Sequence, residues 1–122
     1  HAAAVMAGNY LIGLMDAAVI LMRNAGIEER EALDALAPLA RTSLENALAA
    51  GPAKALTGPI ARGDTETVSA HLQAADSAWP GVARLYRSAG LHVLEVARRA
   101  SGAPEAALRE IRDLLLETGE YE

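Results

Sequence analysis

The residues of this chain with most chemical potential gather around one polar loop and three helical faces. The loop is Leu56 to Asp64, "LTGPIARGD", which sets two glycines, a proline, Thr57, Arg62 and Asp64 into a sequence that otherwise reads as helix after helix. It admits three readings. As an adhesion signal, Arg62-Gly63-Asp64 needs an exposed, extended turn, and a three-residue match arises readily by chance. As plain structure, Gly58-Pro59 and Gly63 are turn residues, and Asp64 is placed to cap the next helix by accepting from its free amides. As a site, the loop brings backbone amides together with Thr57 and Arg62, a combination suited to a carboxylate or phosphate. The structural and site readings are compatible.

On the first helix Asn9 and Asp16 stand seven residues apart, about 20° short of two full turns at 100° per residue, so they share a face. His1 lies about 80° round from Asn9 on the same count, and the three polar groups could border one groove. Alternatively Asn9 is a buried amide with a backbone partner and His1 an exposed terminus. His71 falls one turn from Val68 on the apolar side of the fourth helix. It is either a hydrogen-bonded packing residue or a proton carrier, the role for which histidine is best suited. Tyr86 serves equally as core or as hydroxyl donor. His1, His71 and His92 show no metal-ligand spacing, and no HExxH supports a metal. There is no P-loop, nucleophile elbow or Gly-x-Gly-x-x-Gly turn, so no dinucleotide-binding signature is present.

These residues must be positioned by a single domain. The 122 residues are 52% hydrophobic and 22% charged, enough for one real core but short for a complete two-substrate enzyme. A net charge of -5 without a basic cluster argues against nucleic acid. The absence of cysteine excludes a disulfide framework and fits a reducing cytoplasm. The chain begins at His1 inside what already reads as a helix, which suggests a cut from something longer. Ala2 to Met22 is about as long as a membrane span, but Asn9 and Asp16 lie within it, and a mid-bilayer Asp costs roughly 2.5 to 3.5 kcal/mol. A buried central helix is the expectation, with no membrane contact.

Gly26, Gly51-Pro52, Thr57 to Asp64, Trp79-Pro80-Gly81 and Gly102-Ala103-Pro104 punctuate the chain, and apolar residues recur at helical intervals between them. The expectation is all-α, with about six helices around a central apolar first helix. The first runs from about Ala2 to Asn24. The second starts near Glu28, continues in phase across Pro38 with a kink or tight restart, and presents Leu33, Leu36, Leu39, Ala40, Leu44, Ala47 and Leu48. A single turn follows at Pro52 to Leu56. The fourth, after Asp64, shows Val68, Leu72 and Ala75. The fifth opens at Pro80 or Gly81 and carries Val82, Leu85, Tyr86, Ala89, Val93, Val96 and Ala97. The last, Pro104 to Thr118, buries Leu108, Ile111, Leu114 and Leu115.

The stretches "HAAAVMAGNYLIGLMDAA", "PLARTSLENALAAGPAKALTGPIARGD", "TVSAHL" and "LYRSAG" resemble the C-terminal helical domain of the Rossmann-like, DUF2520-containing proteins. These are predicted NAD(P)-dependent oxidoreductases, similar in layout to ketopantoate reductase, pyrroline-5-carboxylate reductase and the 6-phosphogluconate dehydrogenase group. The resemblance spans nearly Ala2 to Ala97, and "ALTGPIARGD" is its most specific piece. It implies that residues 1–122 form one C-terminal domain, 6-phosphogluconate dehydrogenase C-terminal-domain-like, and that an N-terminal Rossmann domain outside this chain binds NAD(P). No cofactor or metal is then expected on the helical part, which would supply the substrate wall and most of a homodimer interface. In the ketopantoate reductase type, a Lys-x3-Asn-x3-Asn pattern on the first helix faces the nicotinamide. Here the positions read His1, Val5 and Asn9, so only the last is matched. The loop Leu56 to Asp64 looks like the counterpart of the Thr- and Gly-rich substrate loop of pyrroline-5-carboxylate reductase.

The resulting expectation is a cytoplasmic, dimeric oxidoreductase acting on a small carbonyl or imine. His1 or His71 would move the proton, and Asn9 and Thr57 would orient the reacting atom. Arg62 would hold an anionic group, with Asn46, Gly58 and Tyr86 completing the substrate-binding set. The rival expectation is a non-catalytic helical oligomerisation or partner-binding domain.

Overall fold

The computed structural model describes residues 1–100 and 102–117. Among these the fold is all-α, as the punctuation required, in eight segments: α1 Ala2–Ala7, α2 Asn9–Asn24, α3 Glu29–Ala50, α4 Pro52–Ala55, α5 Pro59–Arg62, α6 Thr65–Ala78, α7 Pro80–Ala100 and α8 Glu105–Leu116. The expected single first helix is interrupted at Gly8, where φ -115 and ψ -75 distort a run that glycine supports poorly. The polar loop carries an additional turn, α5. α3 runs through Pro38 without a break. The stretch expected to end the last helix, at Thr118, lies outside the described residues.

Local chemistry sets the helix ends. After α2, Gly26 adopts φ 91, its amide donates to the Arg23 carbonyl at 2.9 Å, and the Ile27 amide donates to the Met22 carbonyl at 3.0 Å. This paired closure needs a left-handed residue, which glycine supplies without a Cβ penalty. Glu29 and Glu31 occupy the first turn of α3, at the positive end of its dipole. The Thr67 amide donates to Asp64 Oδ1 at 3.1 Å, so Asp64 caps α6 as expected.

The main core lies between α5, α6, α7 and α8. Ile60, Val68, Leu72, Leu94, Ala97, Leu108, Ile111 and Leu115 form one buried cluster. A second, smaller cluster joins Ala75 of α6 to Val82 and Ala83 of α7, and Ala17, Ile20 and Leu21 of α2 pack against it. Tyr86 touches both clusters. Arg87 donates to both carboxylate oxygens of Asp76, at 3.0 and 3.3 Å, and so ties α7 to α6.

The first helix is not central. In α1 no residue is buried and in α2 only Val19 is, and the α2 residues that pack on a core cluster, Ala17, Ile20 and Leu21, lie in its C-terminal half. Met6, Tyr10, Leu11, Ile12 and Leu14 are all exposed, Ile12 to 71%. The expected apolar face of α3 is likewise uncovered in part, with Leu39, Leu44 and Leu48 at 67%, 48% and 77%. The physical reason is that, among the described residues, α3 packs mainly on α2 and α4, which leaves the outer side of the α2–α3 pair largely uncovered. The segment Ala2–Asn24 is long and apolar enough, by length and composition, to cross a membrane, with Asp16 within it.

Candidate functional site

Where α2 meets the loop and α7, the helices leave a cavity of about 380 Å³. Leu14, Ala17, Ala18 and Leu21 of α2 form one wall; Val82, Leu85, Ala89, Gly90 and Val93 of α7 form the other. Pro59 and Ile60 of α5 contribute from the loop, and the remaining lining residues are Thr57, His71 and Tyr86. Small residues on both walls explain the space, because Ala17, Ala18 and Ala89 reach only as far as a methyl group. A second hollow of about 260 Å³ lies along the α2–α3 pair, between Leu11, Met15, Leu36 and Leu39.

The two polar rings of the first cavity form a pair. His71 Nδ1 and Tyr86 Oη are 3.0 Å apart, and the rings meet edge-on with centroids 6.0 Å apart and planes at 87°. The hydrogen bond runs either from Nδ1–H to the phenolic oxygen or from the phenol O–H to a bare Nδ1. In the second arrangement Nε2 carries the imidazole proton. Burial pushes the Tyr86 phenol above its ordinary value, so it stays protonated and remains a donor. His71 is exposed and Tyr86 half-buried, so the pair joins the apolar interior of the cavity to its solvent side.

The loop that delivers Thr57 and Pro59 is fixed by its own geometry. Gly58 adopts φ 95 directly before Pro59, which opens α5. The Asp64 amide donates to the Pro59 carbonyl at 2.8 Å, and Gly63 turns left-handed at φ 71. A Cβ at Gly63 would stand 2.9 Å from Ala107 Cβ and 3.3 Å from Ala103 Cβ, so the loop rests directly on the start of α8. The tripeptide Arg62-Gly63-Asp64 is therefore a helix junction rather than an extended turn. Asp64 accepts from the Thr67 hydroxyl at 2.8 Å, and the two Thr67 hydrogen bonds hold its carboxyl below the ordinary carboxylate value. Arg62 adds to that effect from 3.6 Å.

Of the residues singled out from the sequence, Thr57, His71 and Tyr86 come together in the cavity lining, and Gly58 holds the turn beside them. His1, Asn9, Asn46 and Arg62 line neither cavity. Asn9 is an exposed residue at the start of α2, not a buried amide, and the distortion at Gly8 interrupts the regular phase that related it to His1. Asn46 is exposed on α3. Arg62 faces Asp64 with its side chain 62% exposed, which leaves the cavity without the expected cation. Among the described residues no three His, Asp or Glu side chains gather as a metal site. Sequence reasoning named His71 and Tyr86 separately and missed their pairing. The available signal was their near-equal separation from the Trp79-Pro80 turn, which an antiparallel helix pair converts into contact.

Compared with known protein families, residues 1–93 match the family described as "Domain of unknown function (DUF2520)". The matched stretch ends at Val93, the last residue of the cavity wall, so every lining residue falls within it, whereas α8 falls outside. No curated protein and no solved structure matches the chain.

Proposed function

The chain belongs to the DUF2520 family, and on that premise we propose that it is the C-terminal, substrate-binding and dimerising domain of an NAD(P)-dependent oxidoreductase acting on a small carbonyl or imine. The observation that carries the reading is the His71–Tyr86 pair in the lining of an otherwise apolar cavity. A cleft of mostly hydrophobic walls with a few convergent polar groups is the usual form of a small-molecule site. In the chemistry proposed, Tyr86 and Thr57 orient the reacting oxygen or nitrogen by hydrogen bonding, and His71 holds or moves the proton. The sequence has no glycine turn to cradle a dinucleotide, so the cofactor, which supplies a hydride, is assigned to a domain outside this chain.

The exposed apolar side of α1, α2 and α3 favours a second function in the same domain. Contiguous apolar surface of this kind marks an interaction site, and a twofold pairing of two such faces is the commonest way for one chain to cover itself. We assign this face to a second copy. Taken alone, it also fits the rival reading of a purely oligomerising domain.

The experiment that separates them follows NADH and NADPH consumption by the full-length protein against a panel of small aldehydes, ketones and imines. The expected result is turnover by the full-length protein, none by residues 1–122 alone, and loss of turnover in His71→Ala with assembly intact. Turnover by residues 1–122 alone, or a His71→Ala variant altered only in assembly, would count against the proposal.

A further inference from the structure

We infer that the part of the substrate held by this chain is an uncharged hydrocarbon group, with the polar reacting centre kept against His71, Tyr86 and Thr57. The inference rests on the reading above for the reacting centre, and on the cavity itself for the hydrocarbon group. No lysine or arginine lines the cavity. The loop guanidinium, Arg62, faces Asp64, and the guanidinium that follows Tyr86 in sequence, Arg87, donates to both oxygens of Asp76. A carboxylate or phosphate entering the cavity would lose its hydration and meet no lysine or arginine, with the His71 imidazole as the one basic group in the lining, which is unfavourable. A hydrocarbon group meets Leu21, Ile60, Val82 and Val93 instead, surfaces that gain by its burial.

Size narrows the class further. A volume of about 380 Å³ lies at the small end of ligand cavities. The wall at Gly90 has nowhere to retreat, since a Cβ there would already stand 3.0 Å from Leu115 Cδ2 and 3.7 Å from Ile60 Cδ1. The space between the walls therefore suits a branched aliphatic group or a single ring. Specificity against small charged carbonyl compounds follows from the same walls, without any repelling charge.

The test is an NMR titration of residues 1–122 with acetone, cyclohexanone, acetophenone and pyruvate, following the ring resonances of His71 and Tyr86. Cyclohexanone and acetophenone are expected to bind roughly ten- to a hundredfold more tightly than acetone, from the added apolar burial. Pyruvate is expected to bind no more tightly than acetone. Ala89→Leu, which fills the cavity from α7, should abolish the preference; Ala18→Leu fills it from α2 and serves if the first variant does not fold. Equal binding of acetone and cyclohexanone, tightest binding of pyruvate, or shifts confined to the outer face of α2 and α3 would overturn the inference. Cavity binding of the ring ketones without hydride transfer by the full-length protein would remove the oxidoreductase reading and leave the apolar site standing. Hydride transfer fastest with a small charged substrate would do the reverse.

Discussion

Replacement of Gly63 by alanine tests how the loop is held under the cavity. At φ 71 the residue is left-handed, a conformation that costs an alanine roughly 1–2 kcal/mol. The new Cβ would also stand 2.9 Å from Ala107 Cβ and 3.3 Å from Ala103 Cβ. Both are first side-chain atoms fixed by backbone, so no rotamer change relieves the contact, and overpacking of this kind costs about 1–3 kcal/mol. Alanine returns at most about 1 kcal/mol by restricting the unfolded chain. The net expectation is a destabilisation of roughly 1–5 kcal/mol. Urea unfolding followed by far-ultraviolet circular dichroism measures it. The companion variant Ala107→Gly costs about 1 kcal/mol as a glycine inside α8, but in the double variant it removes the closest contact. The two changes should therefore couple favourably by about 1–2 kcal/mol, within the range seen for touching residues. A Gly63→Ala protein as stable as wild type, or two changes that simply add, would refute the account of the junction.

Other expectations are independent of that one. Ile111 is fully buried, and Ile111→Ala should cost about 2–5 kcal/mol, whereas Leu116→Ala, at a half-exposed position, should stay within about 0.5 kcal/mol of wild type in the same assay. Because Asp64 has its carboxyl held below the ordinary value when folded, its contribution is present above that ordinary value and lost as pH falls through the lower folded one. Asp64→Asn should flatten the acid limb of a stability-against-pH curve below about pH 4, and an unchanged limb would show that the Thr67 bonds do not act as described. Glutamates at Leu39 and Leu48 together should yield a helical monomer by light scattering where wild type is a dimer; a monomeric wild type, or one captured by lipid vesicles, would contradict the assignment of that face to a second copy.

Much of the fold could be read from punctuation. Gly26, Gly51, Pro80 and Asp64 each end or begin a helix for a local reason, and local reasons are visible in sequence. The position of the first helix was not legible in the same way. Apolar residues all round a helix indicate that it will be covered, but not by what, and here Met6, Tyr10 and Ile12 stay mostly exposed among the described residues. Along α7 the same ambiguity shifted the face: Leu94, at 1% exposure, and Gly90 belong to the core, while Leu85 stands partly outside it. For the site, Thr57, His71 and Tyr86 were each visible as candidate groups. Their convergence depends on how α6 packs against α7, which no short-range pattern encodes. Arg62 was also visible as a candidate cation; its guanidinium stands 3.6 Å from Asp64 and outside the cavity lining, an arrangement set by the turn at Gly63.

The most direct test of the proposed site is the rate of NADPH consumption by the full-length protein carrying Tyr86→Phe or His71→Asn, measured across pH with folding and oligomeric state checked alongside. Because general acid–base groups contribute roughly 10²- to 10⁴-fold, His71→Asn should lower the rate by that order. Tyr86→Phe should lower it less. An unchanged rate in His71→Asn, with the protein folded and assembled as wild type, would contradict the claim that this cavity is where the chemistry occurs.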